Sequence, residues 1–226
     1  MNKEKLFKSI SGIVTLFSFL FIVSFSILVP STSRKFYYYE VDRYKIDQST
    51  GIEKNEIINA YDDVMDFIWR GKEFKTGTLN HSEKGAEHFK DVRTLFRLNL
   101  AIFIISTVAL ITYILLYYLD IIKPYYRFGY SPLFYGAIIA LFLSLFISVF
   151  ALIDFFTLFY FFHLLFFPFN EDWVFDSIDD EIINILTIDY FKDCAIMFAI
   201  ILLVLSFSFI IYSKIKKAKS IKKSEN

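Results

Sequence analysis

Residues 131–153 read SPLFYGAIIALFLSLFISVFALI and contain no charged side chain. A helix needs about 20 apolar residues to cross a hydrocarbon core of ~30 Å, so this stretch can span a membrane. Three further uncharged stretches of similar length lie at Ser9–Val29, Leu98–Leu119 and Cys194–Ser213. The chain is 56% hydrophobic and 20% aromatic, which is outside the usual range for a soluble domain. We therefore expect four transmembrane helices, at about 9–29, 98–119, 131–153 and 194–213.

The first stretch also resembles a secretory signal peptide, because Lys3, Lys5 and Lys8 precede its apolar run. The hydrophobic region of a signal peptide has about 7–15 residues. The run that ends before Pro30 is longer than this. We therefore expect an uncleaved transmembrane helix at this position.

Lys and Arg residues indicate the orientation in the membrane, because short cytoplasmic loops are enriched in them. Three Lys precede the first span, six lie in residues 214–223, and Lys123 and Arg127 lie between the second and third spans. Residues 164–193, in contrast, contain eight acidic residues and one basic residue. We expect both termini in the cytoplasm and an extracytoplasmic cap, formed by residues 30–97 and 164–193, on the outer face of the cell membrane.

The formal net charge of zero conceals a basic cytoplasmic rim and an acidic outer loop. A nucleic-acid partner is not expected, because the Lys-rich C-terminal segment is better interpreted as a contact with anionic phospholipid headgroups. Cys194 is the only cysteine, so no disulfide can form within the chain. We expect it to pack as a small apolar residue.

The first outer loop is too long to be a bare connection, so the cap is expected to have structure of its own. Residues 36–46 are rich in aromatic residues that alternate along the chain, and they predict a strand. Residues 74–79, with Gly77 among them, predict a short hairpin or strand. The expected fold class is an all-α membrane protein with four transmembrane helices and a small mixed α/β extracytoplasmic cap, in one membrane domain (1–226).

Helices are also predicted in the cap. Thr50 and Glu53 have capping-box spacing ahead of apolar residues at helical intervals, and Gly71 supplies the stop, which predicts a helix of about five turns. Ser82 can cap a helix that continues into the second span. Residues 177–180 have a capping pattern that predicts a short amphipathic helix before the fourth span.

His88 lies at the edge of an apolar helical stripe just before the second span. Its local sequence is Glu87-His88-Phe89-Lys90-Asp91-Val92-Arg93. Asp91 is three residues further on and shares the same helix face. A carboxylate in this position is suited to fix the tautomer of the imidazole and to raise its basicity.

His163 lies in residues 155–169, most of which are aromatic. A titratable ring at membrane depth is costly unless it finds a partner or a cavity, so such residues mark functional sites. Asp154 is the only acidic residue at the outer end of the third span. On one straight helix, Asp154 and His163 would point in opposite directions, so either the helix breaks between them or they have different partners.

Several catalytic motifs are absent from the sequence. It contains no nucleophile elbow, no Gly-rich phosphate loop and no His-Glu-x-x-His pattern. The spacing of His81 and His88 matches no standard zinc site. We therefore expect neither a metal nor another cofactor.

Three motifs together resemble the bacterial lipoprotein intramolecular transacylase family, which comprises four-span membrane proteins of low-GC Gram-positive bacteria. Residues 87–93 are similar to the family pattern acid-His-Met-x-Asp-Val-basic, with Phe89 in place of Met. Residues 162–167, FHLLFF, followed by Trp173, are similar to its Phe-His-x-x-Phe-Phe motif and downstream Trp. Residues 180–183, DEII, leading to the aromatic pair 190–191, are similar to its closing motif, although a Pro expected before that pair is missing.

The resemblance implies a reaction in which one acyl chain moves from the secondary glyceryl ester of a diacylated lipoprotein to the N-terminal α-amine of the same lipoprotein. His88 is then the expected base, oriented by Asp91. His163 would position the amine or stabilise the oxyanion, and the two histidine roles can be exchanged. Additional candidates for orientation or charge balance are Glu87, Arg93 and Asp154.

Three alternatives remain open at the level of sequence. The chain could be a receptor, adaptor or assembly protein whose cap binds an outer partner without catalysis. A transporter is a second alternative, although only Asp154 supplies a charge within the spans and no Gly- or Pro-interrupted half-helices occur. The third is an acyltransferase that forms an acyl-enzyme on Ser or Cys. The oligomeric state is left open.

Overall fold

The computed structural model describes residues 3–169 and 171–224, and this part of the chain is all-α. Its only β-type pairing is an isolated bridge between Arg127 and Tyr130. In chain order, the helices are α1 (Lys3–Thr32), α2 (Arg34–Tyr44), α3 (Ile46–Thr50), α4 (Lys54–Arg70), α5 (Glu83–Tyr118), α6 (Pro132–Ile153), α7 (Phe155–Phe166), α8 (Ile182–Ile185) and α9 (Ile188–Ser224).

Four of these helices are long and apolar enough to cross a membrane: α1, α5, α6 and the part of α9 that ends at Lys217. Each covers one of the four uncharged stretches of the sequence to within one residue. The prediction of four membrane helices is therefore confirmed, and the chain is a multi-pass membrane protein.

The chain divides into two compact units. The membrane unit comprises Met1–Ile27, Asn99–Val149 and Met197–Asn226, and the cap unit comprises Leu28–Leu98 and Phe150–Ile196. In the membrane unit, α1 and α6 pack closely where Gly136 meets Ser18. A Cβ on Gly136 would lie 2.5 Å from Cβ of Ser18 and 2.7 Å from the carbonyl oxygen of Thr15. Small residues at such a contact let two helix backbones approach each other.

The cap unit has its own core, which is built from α2, α4, α8 and the first turns of α5. At its centre, the rings of Tyr37 and Tyr61 stack with centroids 3.7 Å apart. The hydroxyl of Tyr37 donates a hydrogen bond of 3.0 Å to the carbonyl of Ile185. A buried tyrosine with its hydroxyl satisfied fixes α8 against α2 and α4.

The strand predicted for residues 36–46 is wrong, because this segment forms α2 and the start of α3. Tyr37 and Val41 are fully buried and lie four residues apart on one helix face, whereas Tyr39 is 60% exposed. The alternation in the sequence placed all three on the same face of a strand. Aromatic residues favour strands only weakly, and burial against α4 decides the outcome here.

The hairpin or strand predicted for residues 74–79 is also wrong. Leu79 donates its backbone N–H to the carbonyl of Thr76 at 3.0 Å, which closes a turn. Gly77 has a φ of +61° within this turn, and its Cα lies so close to α4 that a Cβ would be 3.3 Å from the backbone of Ala60. The described part of the cap is therefore helical, and the mixed α/β cap is corrected to an all-α one.

The helix predicted between Thr50 and Gly71 is confirmed as α4, which ends at Gly71 with a φ of +77°. The predicted capping box is wrong, because the Thr50 hydroxyl donates to the carbonyl of Ile46 in α3. The Ser82 cap is confirmed, since its Oγ accepts the N–H of Gly85 at 2.9 Å. The amphipathic helix after residues 177–180 is only the four-residue α8.

The third membrane helix breaks at Asp154, where the sequence left two possibilities open. Asp154 is in an extended conformation, so α6 ends at Ile153 and α7 begins at Phe155. Its carboxylate accepts hydrogen bonds from the N–H (3.0 Å) and the hydroxyl (2.6 Å) of Thr157. Asp154 is thus the N-cap of the helix that carries His163.

Candidate active site

His88 and His163 lie together in the cap unit. His88 is in the second turn of α5, ahead of the uncharged span that begins at Leu98, and His163 is in the last turn of α7. Their ring centroids are 5.8 Å apart. Both side chains are buried, with exposures of 5% and 7%. Two residues 75 positions apart in sequence therefore form one site.

Aromatic rings surround both imidazoles. Phe167 contacts the two of them, with centroid distances of 4.9 Å to His88 and 5.7 Å to His163. Phe175 lies 5.4 Å from His88. Phe159 and Trp173 lie 4.4 Å and 5.0 Å from His163. Such an environment excludes water and disfavours a charged imidazole.

Burial, with a smaller contribution from His163, lowers the pKa of His88 to about 4. The His88 ring is therefore neutral at pH 7. Its Nδ1 is buried and has no hydrogen-bond partner among the described residues. This nitrogen therefore donates no hydrogen bond to the Asp91 carboxylate.

His163 has a defined tautomer. Its Nδ1 lies 2.8 Å from the carbonyl oxygen of Phe159, one turn earlier in α7. A carbonyl oxygen can only accept, so the neutral ring carries its proton on Nδ1 and leaves Nε2 as an acceptor. Burial lowers the pKa of His163, and the hydrogen bond to Phe159 opposes this effect.

The other residues proposed from the sequence have different surroundings. Glu87 is exposed and pairs with Lys90 one turn further on. The guanidinium of Arg93 lies over the ring of Phe67, 4.8 Å from its centroid. Asp154 caps α7, as described above. These contacts support the helices on which the histidines lie, and none of them reaches an imidazole.

The sequence placed Asp180 only in a local capping pattern and in a family motif, whereas in the structure it anchors the helix of His88. Its carboxylate is 3% exposed and accepts hydrogen bonds from the N–H (2.8 Å) and hydroxyl of Ser82, at the start of α5. A Cβ on Gly85 would overlap this carboxylate. Asp180 belongs to one of the family motifs, but nothing in the sequence indicated that Ser82 is its partner.

Trp173 was noticed only as part of a motif. Its indole Nε1 is buried and has no hydrogen-bond partner in the described part of the chain. Nε1 of Trp173 and Nδ1 of His88 are two of only four such side-chain atoms found there. Buried polar atoms are nearly always paired in proteins, so two unpaired atoms in one aromatic site indicate a place for a polar ligand.

The arrangement offers proton acceptors without a nucleophile. In residues 3–169 and 171–224, neither imidazole forms a hydrogen bond with a serine, threonine or cysteine. No three metal-ligating side chains come together within these ranges either. Two neutral imidazoles in a dry aromatic site can accept and return a proton while two groups of a bound substrate react with each other.

The family model of the lipoprotein intramolecular transacylase Lit matches residues 12–191. This chain belongs to that family. It is therefore an acyltransferase, and the resemblance seen in the sequence motifs is confirmed. This family assignment is therefore favoured over the receptor and transporter alternatives that the sequence left open. A comparison with curated proteins gives no match.

The fold of this transacylase is similar to that of solved structures from Bacillus cereus. The membrane-integral lipoprotein intramolecular transacylase Lit of that organism matches with a TM-score of 0.84 and 22% identity, over 96% of this chain and 99% of the other. Two variants of the same enzyme, in which a histidine is replaced by arginine or alanine, match with TM-scores of 0.76 and 0.75. Both are also 22% identical, and they cover 98% and 96% of this chain and 96% and 97% of their own.

Proposed function

We propose that this transacylase moves an acyl chain from the secondary glyceryl ester of a diacylglyceryl-cysteine lipoprotein to the α-amine of the same cysteine. The amine nitrogen attacks the ester carbonyl carbon, a C–N bond forms, and the C–O bond to glycerol breaks. The ammonium form of the amine first releases one proton to the solvent, and a second proton then moves from the nitrogen to the glyceryl oxygen. The product is an N-acyl, lyso-glyceryl lipoprotein, and no water is consumed.

The observation that carries the proposal is the pair of buried, neutral imidazoles in an aromatic site. The substrate amine has an ordinary pKa of ~8, so it needs a base before it can attack. Since the acyl donor and acceptor belong to one molecule, no nucleophile of the enzyme is required. An apolar surround also suits a substrate with acyl chains and excludes water that would hydrolyse the ester.

The hydrogen bond to Phe159 favours His163 as the base. With its proton held on Nδ1, the ring presents Nε2 as an acceptor, and the carbonyl of Phe159 stabilises the imidazolium that forms. The same imidazolium can then return the proton to the leaving glyceryl oxygen. This reverses the assignment expected from the sequence.

His88 is then the residue that orients the substrate. Its pKa of about 4 makes it a weak base, and as a neutral ring it can donate one hydrogen bond and accept another. It can therefore hold the amine or the ester in position next to Nε2 of His163. Asp91, Glu87, Arg93 and Asp154 act through the helices that carry the two rings.

The proposal includes the membrane topology expected from the charges. Residues 30–97 and 164–193 would form the outer cap, both termini would be cytoplasmic, and the diacylated lipoprotein would enter from the surrounding phospholipid bilayer. In a Cys194→Ala background, Thr78→Cys should react with a membrane-impermeant maleimide in intact cells. Ser224→Cys should react only after lysis, and the reverse pattern would contradict this topology.

The function is tested by mass spectrometry of a lipopeptide treated with the purified enzyme. We expect the wild type to convert it to the lyso form. His88→Ala and His163→Ala should each lower the rate by about 100-fold or more, as is typical of general acid-base residues. His81→Ala is the matched control, because the His81 ring is exposed and its Nδ1 lies 2.9 Å from the Thr76 hydroxyl. Undiminished conversion by both active-site variants would refute the assignment.

A further inference from the structure

We propose that Trp173 is a further catalytic residue, whose indole N–H donates a hydrogen bond to the ester carbonyl oxygen of the substrate and to the oxyanion that develops from it. The inference rests on the proposed transacylation. It assigns a donor to the negative charge that develops on the carbonyl oxygen, which His163 cannot stabilise while it acts as the base.

The indole N–H of Trp173 is buried without an acceptor within residues 3–169 and 171–224. An indole nitrogen can only donate and has no second tautomer, so it is satisfied only by an acceptor. A buried donor without a partner costs free energy, and such groups are rare unless a ligand completes them. The missing partner must therefore be an acceptor, such as the oxygen of an ester.

Trp173 lies directly beside the proposed base. Its ring centroid is 5.0 Å from that of His163, with an angle of 31° between the ring planes. On another side it contacts Tyr160 edge-on, at 5.4 Å. Two aromatic neighbours restrict the orientation of the indole, so its N–H is held in place before the reaction.

The chemistry of the step requires such a donor. When the amine attacks, negative charge collects on the former carbonyl oxygen. Neutral His163 carries its only proton on Nδ1, where Phe159 accepts it, so this ring cannot donate a second hydrogen bond until it has taken the amine proton. The indole N–H does not titrate and is available throughout the step. Base and oxyanion donor would thus lie side by side on different residues.

Trp69 provides a matched control, since the sequence contains only two tryptophans. Its Nε1 donates a hydrogen bond of 2.9 Å to the carbonyl of Ser31, and its ring stacks on Phe96. This indole is therefore satisfied within the protein. Replacing it should affect stability, whereas replacing Trp173 should affect catalysis.

The experiment measures kcat and KM for a synthetic diacylglyceryl lipopeptide with full-length enzyme in nanodiscs. Trp173→Phe should lower kcat by about 100-fold, as expected for the loss of one oxyanion donor. KM should change by about twofold or less, because the hydrogen bond strengthens mainly in the transition state. Trp69→Phe should leave kcat unchanged and lower the melting temperature.

A second variant separates the hydrogen bond from packing. Incorporation of 3-benzothienylalanine at position 173 keeps the size and shape of indole and replaces the N–H with sulfur. A similar loss of kcat in this folded variant supports the proposal. If this variant has the same kcat as an active wild-type enzyme, the role of Trp173 is refuted and the proposed function is not affected. A wild type that forms no lyso lipopeptide would overturn the proposed function together with this inference.

Discussion

At the scale of single residues, the two imidazoles of the active site differ in one hydrogen bond. His163 donates Nδ1–H to Phe159, whereas Nδ1 of His88 has no partner in the described part of the chain. We propose that this difference makes His163 the better base of the two. It could not be predicted from the sequence, because the carbonyl of Phe159 is a main-chain group and carries no signal in the side-chain pattern.

The protonation state of His88 can be measured by NMR with isotope-labelled histidine, since the chain has only three histidines. Burial lowers the pKa of His88 to about 4, so we expect its ring to remain neutral at pH 5.5. The spectrum of His163 should show the Nδ1–H tautomer at neutral pH. Protonation of His88 near its ordinary value of ~6.5 would contradict a dry site.

The lowered pKa also predicts how stability depends on pH. In the unfolded chain, His88 binds a proton below pH ~6.5, whereas in the folded chain it does so only near pH 4. The contribution of His88 to the free energy of unfolding is therefore present above pH 6.5. It falls by about 2 kcal/mol as the pH is lowered from 6.5 to 5. A thermal-unfolding series should show this slope in the wild type. If His88→Leu shows the same dependence of stability on pH, other titratable groups cause it.

At the scale of elements, the site depends on where two helices begin. Asp154 ends α6 and starts α7, which carries His163, and Ser82 with Asp180 starts α5, which carries His88. The sequence predicted the Ser82 cap correctly because capping is local. It could not predict the contact between Asp180 and Ser82, which are 98 residues apart.

The start of α5 can be loosened without touching an imidazole. Gly85→Ala places a methyl group against the Asp180 carboxylate, and Asp180→Ala removes that carboxylate. Both should destabilise the protein by about 1 kcal/mol, the usual cost of a lost helix cap, and slow the reaction several-fold by displacing His88. Asp180→Asn retains an acceptor oxygen and should stay closer to the wild type. Melting temperature and conversion rate test this, and unchanged values in both Ala variants would contradict it.

The strand that the sequence predicted for residues 36–46 shows why the cap was only partly predictable. Aromatic side chains occupy both the buried and the exposed sides of α2, as Tyr37 and Tyr39 do. Without a contrast between polar and apolar faces, helix and strand patterns look alike. The helix α4 was predicted correctly because its apolar residues recur at helical intervals and because Gly71 marks the end of the helix.

At the scale of the whole molecule, the four membrane helices were predictable because each is a long uncharged stretch, which is a local property of the sequence. Their packing was not. The close approach of α1 and α6 depends on Gly136, which nothing in the sequence distinguished from other glycines. The family assignment connected the two histidine motifs, and the structure supplied the geometry between them.

The helix contact at Gly136 predicts a stability effect in the membrane unit. Gly136→Ala should destabilise the protein by about 1–3 kcal/mol, because the new methyl group overlaps Ser18 and the backbone of α1. Gly12→Ala is the matched control, since no described atom beyond its chain neighbours and its own helix backbone lies within 4 Å of its Cβ position. Melting temperatures in detergent should fall for the first variant only. Equal values for both would show that the contact is not tight.

The central claim is that the acyl chain moves within a single lipoprotein, without an acyl-enzyme on Ser or Cys. It is tested most directly by mixing two diacylglyceryl lipopeptides that differ in peptide mass, one of which carries an isotope-labelled acyl chain at the secondary ester. After reaction with the purified enzyme, mass spectrometry of the N-acyl products should show each peptide with its own acyl chain. Exchange of the label between the two peptides would contradict the account.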